Sequence, residues 1–294
     1  MKKLSFVLLA LLACPSYATV YDLDVAMDNV RNACSGINSK MDHLKLMAGI
    51  NTGIGAVGTV TGAVALGTGI AKAQKDKEIE LANTTRFFTP EEIDATTELF
   101  KQKYLNITEK TETKSEQESK TLGNVRTGML AVNTATSVAG AVISSQNKAN
   151  GSIKEVIDNC IAATDDLRES MMQARMDGRD TVTAKRIVDA CSEYKTADLS
   201  KINKLATGAT ITSSIGAVAG GIGTITSAVA NTDSTRKDDS KEGKEKEKNL
   251  NTASNVLSGV TTVTSAASTV LNGVQIATIK KVVSISEKCE KEIQ

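Results

Sequence analysis

NTGIGAVGTVTGAVALGTGIA, residues 51–71, holds no charge, no aromatic ring and six glycines. It reads as a strand-rich segment, a membrane span, or one side of a tightly packed helix pair. Gly, Thr and Val are weak helix formers, and TVTGAV would pass for a strand on propensity alone. Periodicity argues for helix. Apolar or small residues recur in alternating steps of three and four: Met47, Ile50, Ile54, Val57, Thr61 and Val64. A mean step of 3.5 belongs to left-handed supercoiled helices, so this stripe is expected to face a helical neighbour. A second stripe, Ala48, Thr52, Gly55, Thr59 and Gly62, flanks it with side chains small enough for close backbone approach.

Three other runs share this character, so that charge-free segments cover 46–71, 127–147, 205–232 and 249–279. Each has its own 3.5-residue stripe, from Val125 to Ile143, Ile211 to Val229, and Ala253 to Val274. The runs belong to an internal duplication. IGAV and GTVTGAV (54–57, 58–64) return as IGAV and GTITSAV (215–218, 223–229). VNTATSVAGAV (132–142) returns as VTTVTSAASTV (260–270), IKEVI (153–157) as IKKVV (279–283), and NAC (32–34) as DAC (189–191). Each copy reads cysteine, small-residue run, charged insert, small-residue run, cysteine.

That order suggests an antiparallel helical hairpin in each copy. Pairing Cys34 with Cys160 puts the first turn near residue 97 and sets 46–71 against 123–148. Pairing Cys191 with Cys289 puts the second turn near 240 and sets 205–232 against 248–275. Both turns fall inside the charged inserts, 73–120 and 233–248. Disulfides Cys34–Cys160 and Cys191–Cys289 are therefore expected, although the repeat also permits Cys34–Cys191 with Cys160–Cys289. The fold expected is all-α: two duplicated hairpins, 19–178 and 179–294, forming an elongated four-helix bundle.

The N-terminus carries a compartment signal. Lys2 and Lys3 precede LSFVLLALLAC and then the small-residue ending SYA, the layout of a secretory signal peptide over 1–18. Lipid anchoring at Cys14 fits poorly, because Leu12 precedes Ala13 and Pro15 follows the cysteine directly. Four cysteines remain, an even number suited to two disulfides in a periplasmic, cell-envelope or secreted protein.

Catalytic patterns are missing from the sequence. His43 is the lone histidine, which leaves no His cluster and no Ser-His-Asp arrangement. No Cys-x-x-Cys occurs, so no metal site is expected, and no cofactor. The glycines follow helical stripes and form no strand–loop–helix phosphate cradle. With 35 basic against 34 acidic residues the chain has no excess charge for nucleic acid. A non-enzymatic structural or interaction protein is the leading expectation, its partner an unknown protein or a second copy. Phe87, Phe88, Phe100 and Tyr104 in the first insert are the candidate partner-binding tip, beside the helix start TPEE (89–92). The second insert has six charges of each sign and no apolar residue, and reads as a solvated tip.

The rival expectation is a membrane-inserting or pore-forming protein. Small stripes such as Gly49-x-x-x-Gly53 and Gly58-x-x-x-Gly62 also bring membrane helices together, and the runs are long enough to span a bilayer. Against it stand the abundant Thr, Ser and Asn and the lack of Trp and Tyr belts.

Overall fold

The computed structural model describes residues 22–85, 114–149, 151–236 and 240–294; the chain is all-helical, with no strand among the described residues. Long helices are joined by bends: α1 (Leu23–Cys34), α2 (Ile37–Thr85), α3 (Lys114–Gln146), α4 (Gly151–Met176), α5 (Val182–Cys191), a 3-10 turn (Ser192–Thr196), α6 (Leu199–Ala230), α7 (Asp233–Arg236) and α8 (Lys241–Ile293). Asp22 starts α1 by accepting the Asp24 N–H at 3.1 Å. Gly36, at φ 77°, breaks the chain between α1 and α2 in a conformation that costs other residues strain. After α4, Gly178 at φ 75° supplies the stop expected from its sequence. The Arg179 N–H reaches Ala174 O at 2.8 Å, and Asp180 accepts the Val182 N–H at 2.9 Å to begin α5.

The described residues fall into two compact units, and each unit draws on both halves of the sequence. Unit one comprises residues 22–50, 145–207 and 272–294; unit two comprises 51–144 and 208–271.

Unit one has a conventional apolar core. Val30, Ile37, Met41, Leu167, Ile202, Ile279 and Val282 are buried there with Tyr194 and all four cysteines. Each large aliphatic side chain so buried contributes about 1.5–3 kcal/mol relative to exposure.

Unit two is hairpin-like. Asn51 bonds Ser144, and further along the same pair of helices Asp76 accepts from Ser119 at 2.6 Å. Numbers rise on α2 as they fall on α3, so the two run antiparallel. The second pair behaves alike: Ser213 meets Ser268 at 2.9 Å, while Ser254 donates to Gly223 O at 3.1 Å.

The step of 3.5 residues is present, but the inward face is not the expected one. Ile50, Val57, Val64, Val125, Val132, Ile211, Val218, Val260 and Val270, all from the expected contact stripes, are exposed. What turns inward on α2 is Asn51, Gly58, Gly62, Ala65, Gly69 and Lys72. On α3 it is Ser119, Gly123, Arg126, Leu130, Asn133, Ser137, Gly140 and Ser144. Size explains the choice. A Cβ on Gly62 would lie 2.6 Å from both Asn133 Nδ2 and Thr262 Oγ1, so the helices approach too closely for valine. Gly58 and Gly62 thus face the interior, whereas Gly49 and Gly53 meet nothing within 4 Å.

Candidate functional site

Two features stand out chemically. In unit one the Cys34 and Cys160 sulfurs lie 1.98 Å apart and those of Cys191 and Cys289 2.02 Å apart, the pairing that the hairpin numbering favours. All four are fully buried, and the sulfurs of Cys34, Cys191 and Cys289 lie within 4.8 Å of one another. The bridges therefore sit side by side, each within reach of thiol–disulfide exchange with the other once a thiolate is freed. While both bonds hold, every sulfur is used and none is a free nucleophile. Buried disulfides are the chemistry of an oxidising, exported environment.

The second feature is the inversion of unit two. Eighteen of its valines and isoleucines are exposed, at 38–68%. Among its described buried apolar residues, Leu130 alone is larger than alanine. Its interior is polar and only partly hydrogen-bonded within itself: Asn51 Oδ1, Asn133 Nδ2 and Asn231 Oδ1 have no partner among the described residues. Ser265 donates to Asn133 Oδ1 at 3.2 Å, Thr127 and Ser227 hydroxyls meet at 2.8 Å, and Asn231 donates to Thr127 at 3.3 Å. Other hydroxyls bond back to their own helix, as Thr59 to Gly55 O at 2.9 Å, Thr134 to Leu130 O at 2.8 Å and Ser258 to Ser254 O at 2.7 Å. Such back-bonding needs no water, which lets a threonine-rich helix sit in a dry medium.

Two cations are buried inside unit two as well. Lys72, 1% exposed, binds Asp76 at 2.7 Å and Glu247 at 3.2 Å. Arg126, fully buried, donates through Nη2 to Asn251 O at 3.4 Å; its Nε and Nη1 have no partner among the described residues. Both continue the inward stripe of small residues, each three residues on from a buried glycine, Gly69 and Gly123. The sequence places them at the ends of uncharged runs, where they were assigned no role; carrying the period on from Gly62 through Ala65 and Gly69 reaches Lys72.

By length and composition, Leu23–Leu81, Lys114–Met176 and Val182–Ala230 each contain a window apolar enough to cross a membrane. Between Lys45 and Lys72 lie 26 uncharged residues, about 39 Å of helix, against a hydrocarbon core of about 30 Å. The expected tip residues Phe87, Phe88, Phe100 and Tyr104 lie outside the described residues. His43 is exposed, as its charged neighbours suggest. No protein-family model, no curated protein and no solved structure matches the chain.

Proposed function

We propose that this is an exported membrane-embedding protein, in which four antiparallel helical segments of unit two form a bundle that sits in a bilayer. Unit one is the disulfide-clipped part and belongs to an oxidising compartment, and the chain as a whole derives from two duplicated hairpins. One observation carries the reading: unit two buries serine, asparagine and glycine at every turn while valine and isoleucine face out. In water that arrangement forfeits the hydrophobic driving force, because apolar surface stays hydrated. In lipid it is the stable one. Apolar side chains meet acyl chains, small residues pack helix on helix, and buried cations turn away from hydrocarbon. The close contacts at Gly62 and Gly123 keep the interior shut, so any passage would require the helices to separate.

The test is vesicle flotation of the full chain with an alkaline carbonate wash. Wild type stays with the lipid. Val218→Lys with Val263→Lys places two outward cations in the apolar belt, each costing roughly 2.5–3.5 kcal/mol at the centre of a span, and retention is lost. A detergent-free monomer that ignores vesicles and tolerates both lysines would overturn the proposal in favour of a soluble interaction module. Oligomers in lipid-free buffer that both lysines dissociate would make the apolar surface a self-association face.

A further inference from the structure

The charges are not spread evenly along these helices. Chain-wide they nearly cancel, yet Lys40, Lys45, Lys148, Lys201, Lys204, Lys280 and Lys281 all belong to unit one, where the four uncharged runs begin or end. Asp42 is the one acid interspersed with them in these short stretches of sequence. Hydrogen bonds put the stretches at one level of unit one. Gln275 Nε2 donates to Asn147 O at 2.9 Å and approaches Ile202 O at 3.5 Å. Asn203 Nδ2 donates to Ala149 O at 3.1 Å. With its nitrogen turned to donate, the Asn147 amide reaches Leu44 O at 3.0 Å. The lysines flank these positions on all four segments. Lys148, Lys201, Lys204, Lys280 and Lys281 are exposed, and Lys40 and Lys45 half-buried. Among the described residues none of the seven has an ion-pair partner, whereas Lys195 and Lys288 elsewhere in unit one bind Asp165 and Glu193.

We infer that this lysine collar is a binding surface for the headgroups of anionic phospholipids. The inference rests on the membrane-embedding reading, and it names the lipid. An ammonium on a four-carbon stem beside the end of an apolar helix run lays its methylenes along the hydrocarbon boundary and its charge among phosphates. Seven such groups, with Asp42 among them and Asp198 accepting the Lys201 N–H at 2.8 Å, leave a net positive field. Lipid is favoured over nucleic acid because each collar segment continues directly into an uncharged run, Lys45 into Leu46 and Lys280 back into Ile279.

The experiment compares initial binding of the full chain to vesicles of pure phosphatidylcholine and to vesicles containing one third phosphatidylglycerol. At low salt the anionic vesicles are expected to win, by about fivefold for each lysine engaged, and the preference shrinks as salt is raised. Lys45→Gln, Lys148→Gln, Lys204→Gln and Lys280→Gln together cut the preference by about fivefold for each of the four that was engaged, and leave neutral-vesicle binding unchanged. The same four positions as arginine retain it, which separates charge from fold. Equal binding to both vesicles, or a preference untouched by the glutamines, would overturn the collar while leaving embedding intact. Binding that prefers anionic vesicles but is stripped by carbonate would overturn embedding and leave the collar.

Discussion

Units one and two are built from continuous helices, share one 3.5-residue step, and bury opposite chemistries. Along α2 the inward stripe reads Met41, Leu44 and Ala48 in unit one, then Asn51, Gly58 and Gly62 in unit two. Neither helix content nor period changes at that point; only the polarity of what is hidden does. Unit one follows the rule for water, with leucine, isoleucine and cysteine inside and lysine and aspartate outside. Unit two reverses it. A heptad repeat therefore specifies that helices pack and where they touch, but it does not specify the solvent.

The largest effect that distinguishes the units is covalent. The bridges close chain separations of 126 and 98 residues, and in the chain-entropy account each is worth roughly 4–5 kcal/mol. Removing Cys34 and Cys160 together should lower the unfolding free energy by about that amount, read by chemical denaturation in mild detergent. Removing Cys160 alone should do something further. The Cys34 thiolate, left beside the neighbouring bridge, attacks one of its sulfurs, forms a new bond to it and expels the other as thiolate. Non-reducing peptide maps should then show Cys34 joined to Cys191 or Cys289. Maps showing only the original Cys191–Cys289 bond would mean the two bridges are isolated from each other.

Core truncation comes next. Leu167 is fully buried in unit one, and Leu167→Ala should cost about 2–5 kcal/mol. Val263, 68% exposed in unit two, should cost no more than about 0.5 kcal/mol as alanine. Equal losses at the two positions would mean that the exposed valine is covered within the folded chain, and the contrast between units would collapse.

Much of this is legible in the sequence alone. The cysteine pairing followed from the symmetry of the runs about their inserts, because an antiparallel pair fixes which numbers meet. Helix was preferred to strand from the step between apolar residues, against the propensity of Gly, Thr and Val. The face was misread for a physical reason. On α2 two adjacent stripes share the same period and both were expected to pack; the small one, with Gly62, does turn inward, whereas setting Val57 and Val64 against a helical neighbour assumed that the greasier stripe hides from water. The buried Lys72 and Arg126 were missed on the same assumption. The collar was missed because its seven lysines are scattered over four stretches of sequence, and folding alone brings them to one level.

A pH effect separates the units more gently. Burial pushes the Tyr194 phenol of unit one up to about 12, from an ordinary value near 10. The unfolded chain therefore releases this proton before the folded one does. Stability from this residue is whole below pH 10 and declines as pH rises from 10 to 12, by no more than about 2–3 kcal/mol. Tyr194→Phe should flatten that part of the stability profile, measured against wild type under the same conditions. An unchanged slope would mean that the phenol ionises freely in the folded state.

The smallest expected difference lies within unit two and tests its interior directly. Gly62 and Gly67 lie on the same helix, 5 residues apart, and alanine is the better helix former at either place by about 1 kcal/mol. Propensity alone predicts that both substitutions stabilise. Packing predicts opposite signs. At Gly67 a Cβ meets nothing within 4 Å, so Gly67→Ala should gain a few tenths to about 1 kcal/mol. At Gly62 it would press on Asn133, on the Thr262 hydroxyl and, at 3.1 Å, on the Thr262 Cα. That last atom is backbone and cannot rotate away, so Gly62→Ala should lose about 1–3 kcal/mol by forcing helices apart. Thermal denaturation of the pair in the same detergent reads the sign. Two stabilised variants would mean that helices α2 and α8 stand further apart than this interior requires, and the polar stripe would then have room to meet water.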